Sequence, residues 1–467
     1  HMTVDFRAEF DKRKDEFLAD LFDLLRINSE RDDSQADAQH PFGPGPVRAL
    51  DKFLEIAERD GYPTKNVDNY AGHFEFGEGD EVLGIFGHLD VVPAGSGWNT
   101  DPYEPQIIDG KLFARGSSDD KGPTMACYYG LKIIKELGLP TSKKVRFIVG
   151  TDEESGWADM DYYFEHVGLP LPDFGFSPDA EFPIINGEKG NITAYLHFAG
   201  ENSGAAKLHS FTGGLRENMV PESATAIISG DLADLDSKLA AFTAAYSLNA
   251  DAETLENGQV QVTVIGKSAH GSTPEEGVNG ATYLAKFLSQ FAFDGVVKAY
   301  LDLAGQVLLE DHDGQKLGVA IYDEQMGALS MNAGVFKFDE TSSDNTIALN
   351  FRYPKNTNPE TIKAGLEKLG VEAVSLSEHG HTPHYCPIDD PMVATLLSVY
   401  EKHTGLKGHE QVIGGGTFGR LLKRGVAYGA MFPGDVNTMH QANEFIEVEQ
   451  LYRAAAIYAE AIYELIK

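Results

Sequence analysis

Residues 5–26 place Phe6, Phe10, Phe17, Leu21, Leu24 and Leu25 on an approximate helical stripe. Pro46 opens a second helix with Val47, Leu50, Leu54 and Ala57, and Gly61 stops it. Apolar runs at 82–92, 145–150 and 174–178 read as buried strands, with a helical stretch at 123–137 between the first two. Strand, helix and strand with polar or Gly-rich joints predict an α/β sheet covered by helices.

Near residue 190 the pattern changes. Segments 192–198, 260–265 and 345–353 alternate apolar and polar positions, as half-exposed antiparallel strands do. Val260, Val262 and Val264 share one face, as do Ile347, Leu349 and Phe351. Helical stretches at 279–292 and 360–369 accompany them, so this middle reads as α+β. After about residue 382 come helix 391–403, a Gly-rich turn, a short helix, an apolar strand ending in MFPG and a last helix at 447–467. The expected architecture is a mixed-sheet α/β domain from 1–187 and 382–467, phosphorylase/hydrolase-like, with an α+β lid domain inserted at 188–381.

Composition excludes some functions. The chain has 38 Lys and Arg against 72 Asp and Glu, a net charge of −34, which opposes binding to nucleic acid or anionic membranes. No run approaches the ~20 apolar residues of a membrane helix. Two distant cysteines, Cys127 and Cys386, suit neither a disulfide framework nor a zinc ribbon. With no signal-peptide pattern, a reducing, cytoplasmic setting is expected. The cysteines read as core filler.

The candidate chemistry lies where strands or helices end. GHLDVVP (87–93) holds His88 and Asp90 in an apolar run, where a charge is costly unless paired or metal-bound. GSSDDKGP (116–123) holds Asp119 and Asp120, GTDEESG (150–156) holds Asp152, Glu153 and Glu154, SPDAEFP (177–183) holds Asp179 and Glu181, and MHQANE (439–444) holds His440. Each has an ordinary reading: Asp119-Asp120 as a helix N-cap, DEES as an exposed turn, His440 as a surface histidine. Their shared placement after strands favours a site, because ligands in α/β folds gather at the carboxyl ends of strands. Two histidines with several carboxylates suit Zn²⁺, Mn²⁺ or Co²⁺. The adjacent acids Glu153 and Glu154 suit a division of labour between proton acceptor and ligand.

These motifs, in this order, resemble the co-catalytic metallopeptidases, the family of aminoacylase, acetylornithine deacetylase and succinyl-diaminopimelate desuccinylase, and within it the bacterial dipeptidases. The resemblance implies two divalent ions per chain, Zn²⁺ first, with Mn²⁺ or Co²⁺ as alternatives. One ion takes His88, Asp119 and Asp179; the other takes Asp119, Glu154 and His440. Asp90 orients His88, the 119–120 peptide bond is cis, and Glu153 is the general base for a hydroxide bridging the metals.

In the middle segment, KSAHGSTPEEGVNG (267–280) carries His270, LRENMVP carries Asn218 and NFRYP carries Arg352. Alone, His270 is an ordinary loop histidine and Arg352 a solvated strand arginine. The resemblance makes His270 an oxyanion donor, Asn218 a polar lid residue beside it, and Arg352 the grip on the substrate's C-terminal carboxylate. GGGTFGR (414–420) lacks the Lys-Ser/Thr of a P-loop, so Gly415, Gly416 and Thr417 are expected to receive a carboxylate at a helix start. The expected activity is hydrolysis of small unblocked dipeptides by a monomer. The rivals are an N-acyl amino-acid deacylase or desuccinylase, and a non-catalytic metal- or peptide-binding protein.

Overall fold

The computed structural model describes residues 3–467, which form two compact units. The first comprises the chain up to Gly187 with Tyr385–Gln411 and Gly416–Lys467; the second comprises Glu188–His384 and Val412–Gly415. Val412–Gly415, which the sequence reading kept with the α/β portion, groups with the second unit.

In the first unit the expected helix at 5–26 is two helices, Phe6–Asp11 and Lys14–Leu25. The Arg13 guanidinium donates to the Glu9 carbonyl at 2.7 Å and so occupies the acceptor that a continuing helical turn would use. The second predicted helix begins two residues early, at Pro44, and runs to Arg59.

The main sheet of this unit has six strands, in the order Thr64–Val67, Ala71–Phe76, Lys144–Gly150, Val82–His88, Phe174–Ser177 and Gly425–Ala427. The first three are antiparallel neighbours, and the last four run parallel. Parallel strands end at one edge. His88 pairs with Gly150, and Ile85 pairs with both Phe147 and Phe176, so the residues after three strands converge. The strand expected over 82–92 stops at His88 because its neighbour ends at Gly150, although Leu89 N–H still donates to the Gly150 carbonyl at 2.9 Å.

Helix Lys121–Leu137 is buried from Lys121 through Ile134 and ends at Gly138, left-handed at φ +61°. It packs closely on helix Val448–Ile466 at Gly130, where a β-carbon would come within 2.8 Å of Ala459 N. The apolar segment before MFPG is two short strands, Gly425–Ala427 and Ala430–Met431. Gly429, at φ +72°, separates them, and a β-carbon there would lie 2.4 Å from the Phe182 ring.

The second unit holds an eight-stranded antiparallel sheet, in the order Asn249–Thr254, Val260–Ile265, Ser223–Gly230, Ala206–Gly213, Ser330–Asp339, Asn345–Tyr353, Gly190–Phe198 and Ala373–Leu376. Alternate residues face the core: Ala224, Ala226 and Ile228 on one strand, Ile347, Leu349 and Phe351 on another. Helices Gly280–Leu288, Gly295–Asp302 and Pro359–Glu367 cover that face with Leu284, Phe287, Val297, Tyr300 and Leu366. The chain is therefore mixed α/β with an α+β insertion. Among the described residues, no helix is long and apolar enough to cross a membrane.

Candidate active site

His88 closes strand Val82–His88 and is fully buried. Its Nε2 lies 3.0 Å from Asp119 Oδ1 and 3.5 Å from Asp179 Oδ2. The other Asp119 oxygen, Oδ2, lies 2.9 Å from Nε2 of His440, which is also 3.1 Å from Glu154 Oε2. Asp119 thus divides its carboxylate between two histidines; His440 has Glu154 beside it, and His88 has Asp179 together with Glu153 at 3.3 Å and Glu154 at 3.6 Å. Ligand atoms within each trio, His88–Asp119–Asp179 and Asp119–Glu154–His440, lie within 4.8 Å of one another, close enough for one cation each. A third grouping, His88–Glu153–Glu154, meets the same test, so Glu153 is within ligand reach as well.

The local sequence explains the placement. Asp119 occupies the turn before helix Lys121–Leu137, and the Asp119–Asp120 peptide bond is cis. Glu153 and Glu154 follow strand Lys144–Gly150, and Asp179 follows strand Phe174–Ser177. Buried Asp159 accepts the Thr151 and Asp152 N–H groups at 2.9 and 3.1 Å, which fixes the turn carrying the acids. Asp90 does more than the expected orientation of His88. The closest partner of His88 Nδ1 is the Asp90 backbone carbonyl, at 2.9 Å, with the Asp90 carboxylate at 3.3 Å. That carboxylate accepts the N–H groups of both Glu153 and Glu154.

Electrostatics point to cations. Burial, with the Asp119 charge adding to it, pushes Asp179 up to about 7 although His88 pulls it down. Burial and Asp119 likewise push Glu154 up to about 8. Burial lowers His440, but hydrogen bonds to Asp119 and Glu154 outweigh it and raise the imidazole to about 11. Burial and neighbouring Asp179 raise Glu153 well above the carboxylate range. Four crowded, largely buried carboxylates around two imidazoles favour positive charge, and their oxygen and nitrogen donors fit divalent metal ions.

Of the remaining predicted residues, Asn218, His270, Arg352 and Gly415 belong to the second unit. In the second unit, Met219 and His270 form an antiparallel bridge, and Gly271 N–H donates to the Asn218 carbonyl at 2.6 Å. Ser272 N–H donates to His270 Nδ1 at 3.1 Å, and the Ser272 hydroxyl lies 2.7 Å from the same nitrogen. Asn218 also lines a cavity of about 560 Å³ with Asn191, Thr193, Glu217 and Asn350. Arg352 is buried, contrary to a solvated strand arginine; its Nε donates to Asn350 Oδ1 at 2.8 Å and its Nη1 to the Gly414 carbonyl at 2.9 Å. Gly415 groups with Gly414 in that unit, whereas Gly416 and Thr417 group with the first. The helix start expected there is only a four-residue 3₁₀ turn, Phe418–Leu421, and the buried Thr417 hydroxyl accepts Gly419 N–H at 3.1 Å. Thr417 therefore caps its own turn. Cys127 and Cys386 are buried free thiols.

Over residues 84–464 the chain matches peptidase family M20/M25/M40. It belongs to that family. As a family member it is a metallopeptidase. A Beta-Ala-Xaa dipeptidase of Lactobacillus delbrueckii subsp. lactis is 45% identical over 471 residues, spanning 100% of this chain and 99% of the relative. Human carnosine dipeptidase 1 superposes with a TM-score of 0.58 at 16% identity, covering 98% of each chain. The M20 metallo-carboxypeptidase Sso-CP2 of Sulfolobus solfataricus gives a TM-score of 0.57 at 18% identity, covering 96% of this chain and 98% of its own. At those identities the two structures bear on the fold alone.

Proposed function

We propose that this metallopeptidase hydrolyses unblocked dipeptides with a free C-terminal carboxylate, and that it works with two divalent ions. The observation that carries the two-ion reading is Asp119, whose oxygens lie 3.0 Å from His88 and 2.9 Å from His440. The dipeptide reading is supported by the 45% identity, across the whole chain, to a Beta-Ala-Xaa dipeptidase.

His88, Asp119 and Asp179 would hold one ion, and Asp119, Glu154 and His440 the other; bound there, the ions supply Lewis acidity toward water and the scissile carbonyl. Glu153 takes the proton of the attacking water on its carboxylate and returns it to the leaving amine nitrogen as the C–N bond breaks. Its position suits that task, because its carboxylate is buried beside the proposed ligands without belonging to either trio. His270 donates from Nε2 to the oxyanion, with Asn218 as a second polar contact. Arg352 and the Gly415–Gly416–Thr417 segment bind the substrate carboxylate, and that anchor limits substrate length.

The test compares a dipeptide, its N-acetyl derivative and a tetrapeptide, with and without chelator, after metal analysis of the protein. The proposal expects chelator-sensitive cleavage of the free dipeptide alone. Cleavage of only the acetylated form indicates the deacylase, and no turnover by metal-loaded protein indicates a binding protein.

A further inference from the structure

Arg115 and Glu444 form a completely buried ion pair, 2.8 Å from Nη1 to Oε1, each 1% exposed in its side chain. Neither is within ligand reach of the acid–histidine cluster, yet both touch the segments that carry it. Glu444 Oε2 accepts three backbone N–H groups, from Gly116, Ser118 and Asp119, at 3.2, 2.9 and 3.1 Å. Arg115 donates through Nη1 to the Gln441 carbonyl at 3.0 Å and through Nη2 to the Pro93 carbonyl at 3.0 Å. One ion pair thus joins the turn that follows His88, the loop of Asp119 and the turn of His440.

These segments differ in how much support they need. His88 and Asp179 stand at strand ends, where the sheet holds them. His440 stands on a turn, with its side chain 45% exposed and its backbone left-handed at φ +66°. Asn443, three residues on, is left-handed at φ +61°. Histidine and asparagine adopt that region more readily than most residues, and here the Gln441 carbonyl between them accepts from Arg115.

We infer that Arg115 and Glu444 are positioning residues that set His440 against the shared carboxylate of Asp119, and thereby fix the affinity of the second ion. The inference rests on the two-ion reading above. A carboxylate at position 444 is required because only an acceptor can satisfy three converging N–H donors and a guanidinium together. Arginine is required at 115 because its fork reaches carbonyls on two separate segments while pairing with Glu444.

Metal-free protein is titrated with Co²⁺ by equilibrium dialysis, with cobalt content and visible absorption read together. Wild type should take two ions. Glu444→Gln should keep the first within about threefold and weaken the second by about 10–100-fold, the usual cost of removing support behind a ligand. The absorption added by the second equivalent should then appear only at correspondingly higher free Co²⁺. Arg115→Lys, which keeps a cation for Glu444 but cannot span both carbonyls, is read by the same titration and decides the matter if Glu444→Gln does not fold. Unchanged binding of both ions overturns the inference, as does equal weakening of both with a lower unfolding midpoint of the metal-free protein. A wild type that takes fewer than two ions overturns the two-ion reading itself.

Discussion

Asp90 Oδ1 accepts the backbone N–H of Glu153 at 3.2 Å, while Asp90 Oδ2 accepts that of Glu154 at 3.0 Å. The residue behind the first histidine therefore also holds the turn carrying the proposed base and a proposed ligand. Asn at this position turns one accepting oxygen into a donor that faces an N–H. Asp90→Asn should lower kcat and metal affinity by about 10–100-fold together. Steady-state kinetics and a metal titration check this; a loss confined to KM would contradict it.

Arg352 is aimed by its neighbours rather than by solvent. Asn350 accepts its Nε–H and, through Nδ2, donates to Asn191 Oδ1 at 2.8 Å and Thr193 Oγ1 at 3.1 Å. Asn350→Ala removes one hydrogen bond to the guanidinium, worth about 1 kcal/mol or roughly fivefold, and should appear in KM for a dipeptide more than in kcat. Arg352→Ala should raise KM further, by roughly 10–100-fold, since a hydrogen-bonded charge is lost. Equal kcat losses without a KM change would remove Arg352 from carboxylate binding.

His73 gives a pH dependence that lies apart from the site. It sits on strand Ala71–Phe76, and its Nδ1 is 2.7 Å from the Tyr163 hydroxyl. Burial, helped by the Arg146 charge, pushes its imidazole down to about 4. The unfolded chain binds that proton near pH 6.5 and the folded one does not. Stability is therefore lost as pH falls from 6.5 toward 4, and unaffected above that window. Gln can still accept from Tyr163 but does not titrate, so wild type should lose about 2 kcal/mol relative to His73→Gln between pH 7 and pH 5. Denaturant unfolding at the two pH values measures the difference.

Much of the candidate site was legible because His88, Glu153, Glu154 and Asp179 stand at or just after the ends of apolar runs, and parallel strands end at one edge. The second-unit sheet was read only in part. Strands 260–265 and 345–353 alternate cleanly, whereas 206–213 carries polar residues and a bulge at Leu208/Ser210 that breaks the period. Edge strand Thr64–Val67 has one buried residue and gives no apolar signal. Arg115 and Glu444 escaped notice for another reason: Glu444 lies in the same MHQANE stretch as His440, but nothing in its spacing distinguishes a buried acid from a surface one. The length of the turn after Thr417 was not legible, because a Gly-rich run followed by Thr looks the same before a long helix as before one short 3₁₀ turn.

Glu153 lies within ligand reach of His88, with Oε2 3.3 Å from Nε2, so geometry alone allows it to be a ligand as well as a base. The deciding measurement is metal stoichiometry and dipeptide turnover on the same preparation of Glu153→Gln. As the base, Glu153 is dispensable for metal, so the variant should retain two ions while turnover falls by about 10²–10⁴-fold. Loss of an ion, or turnover near that of the wild type, would contradict its role as the proton acceptor.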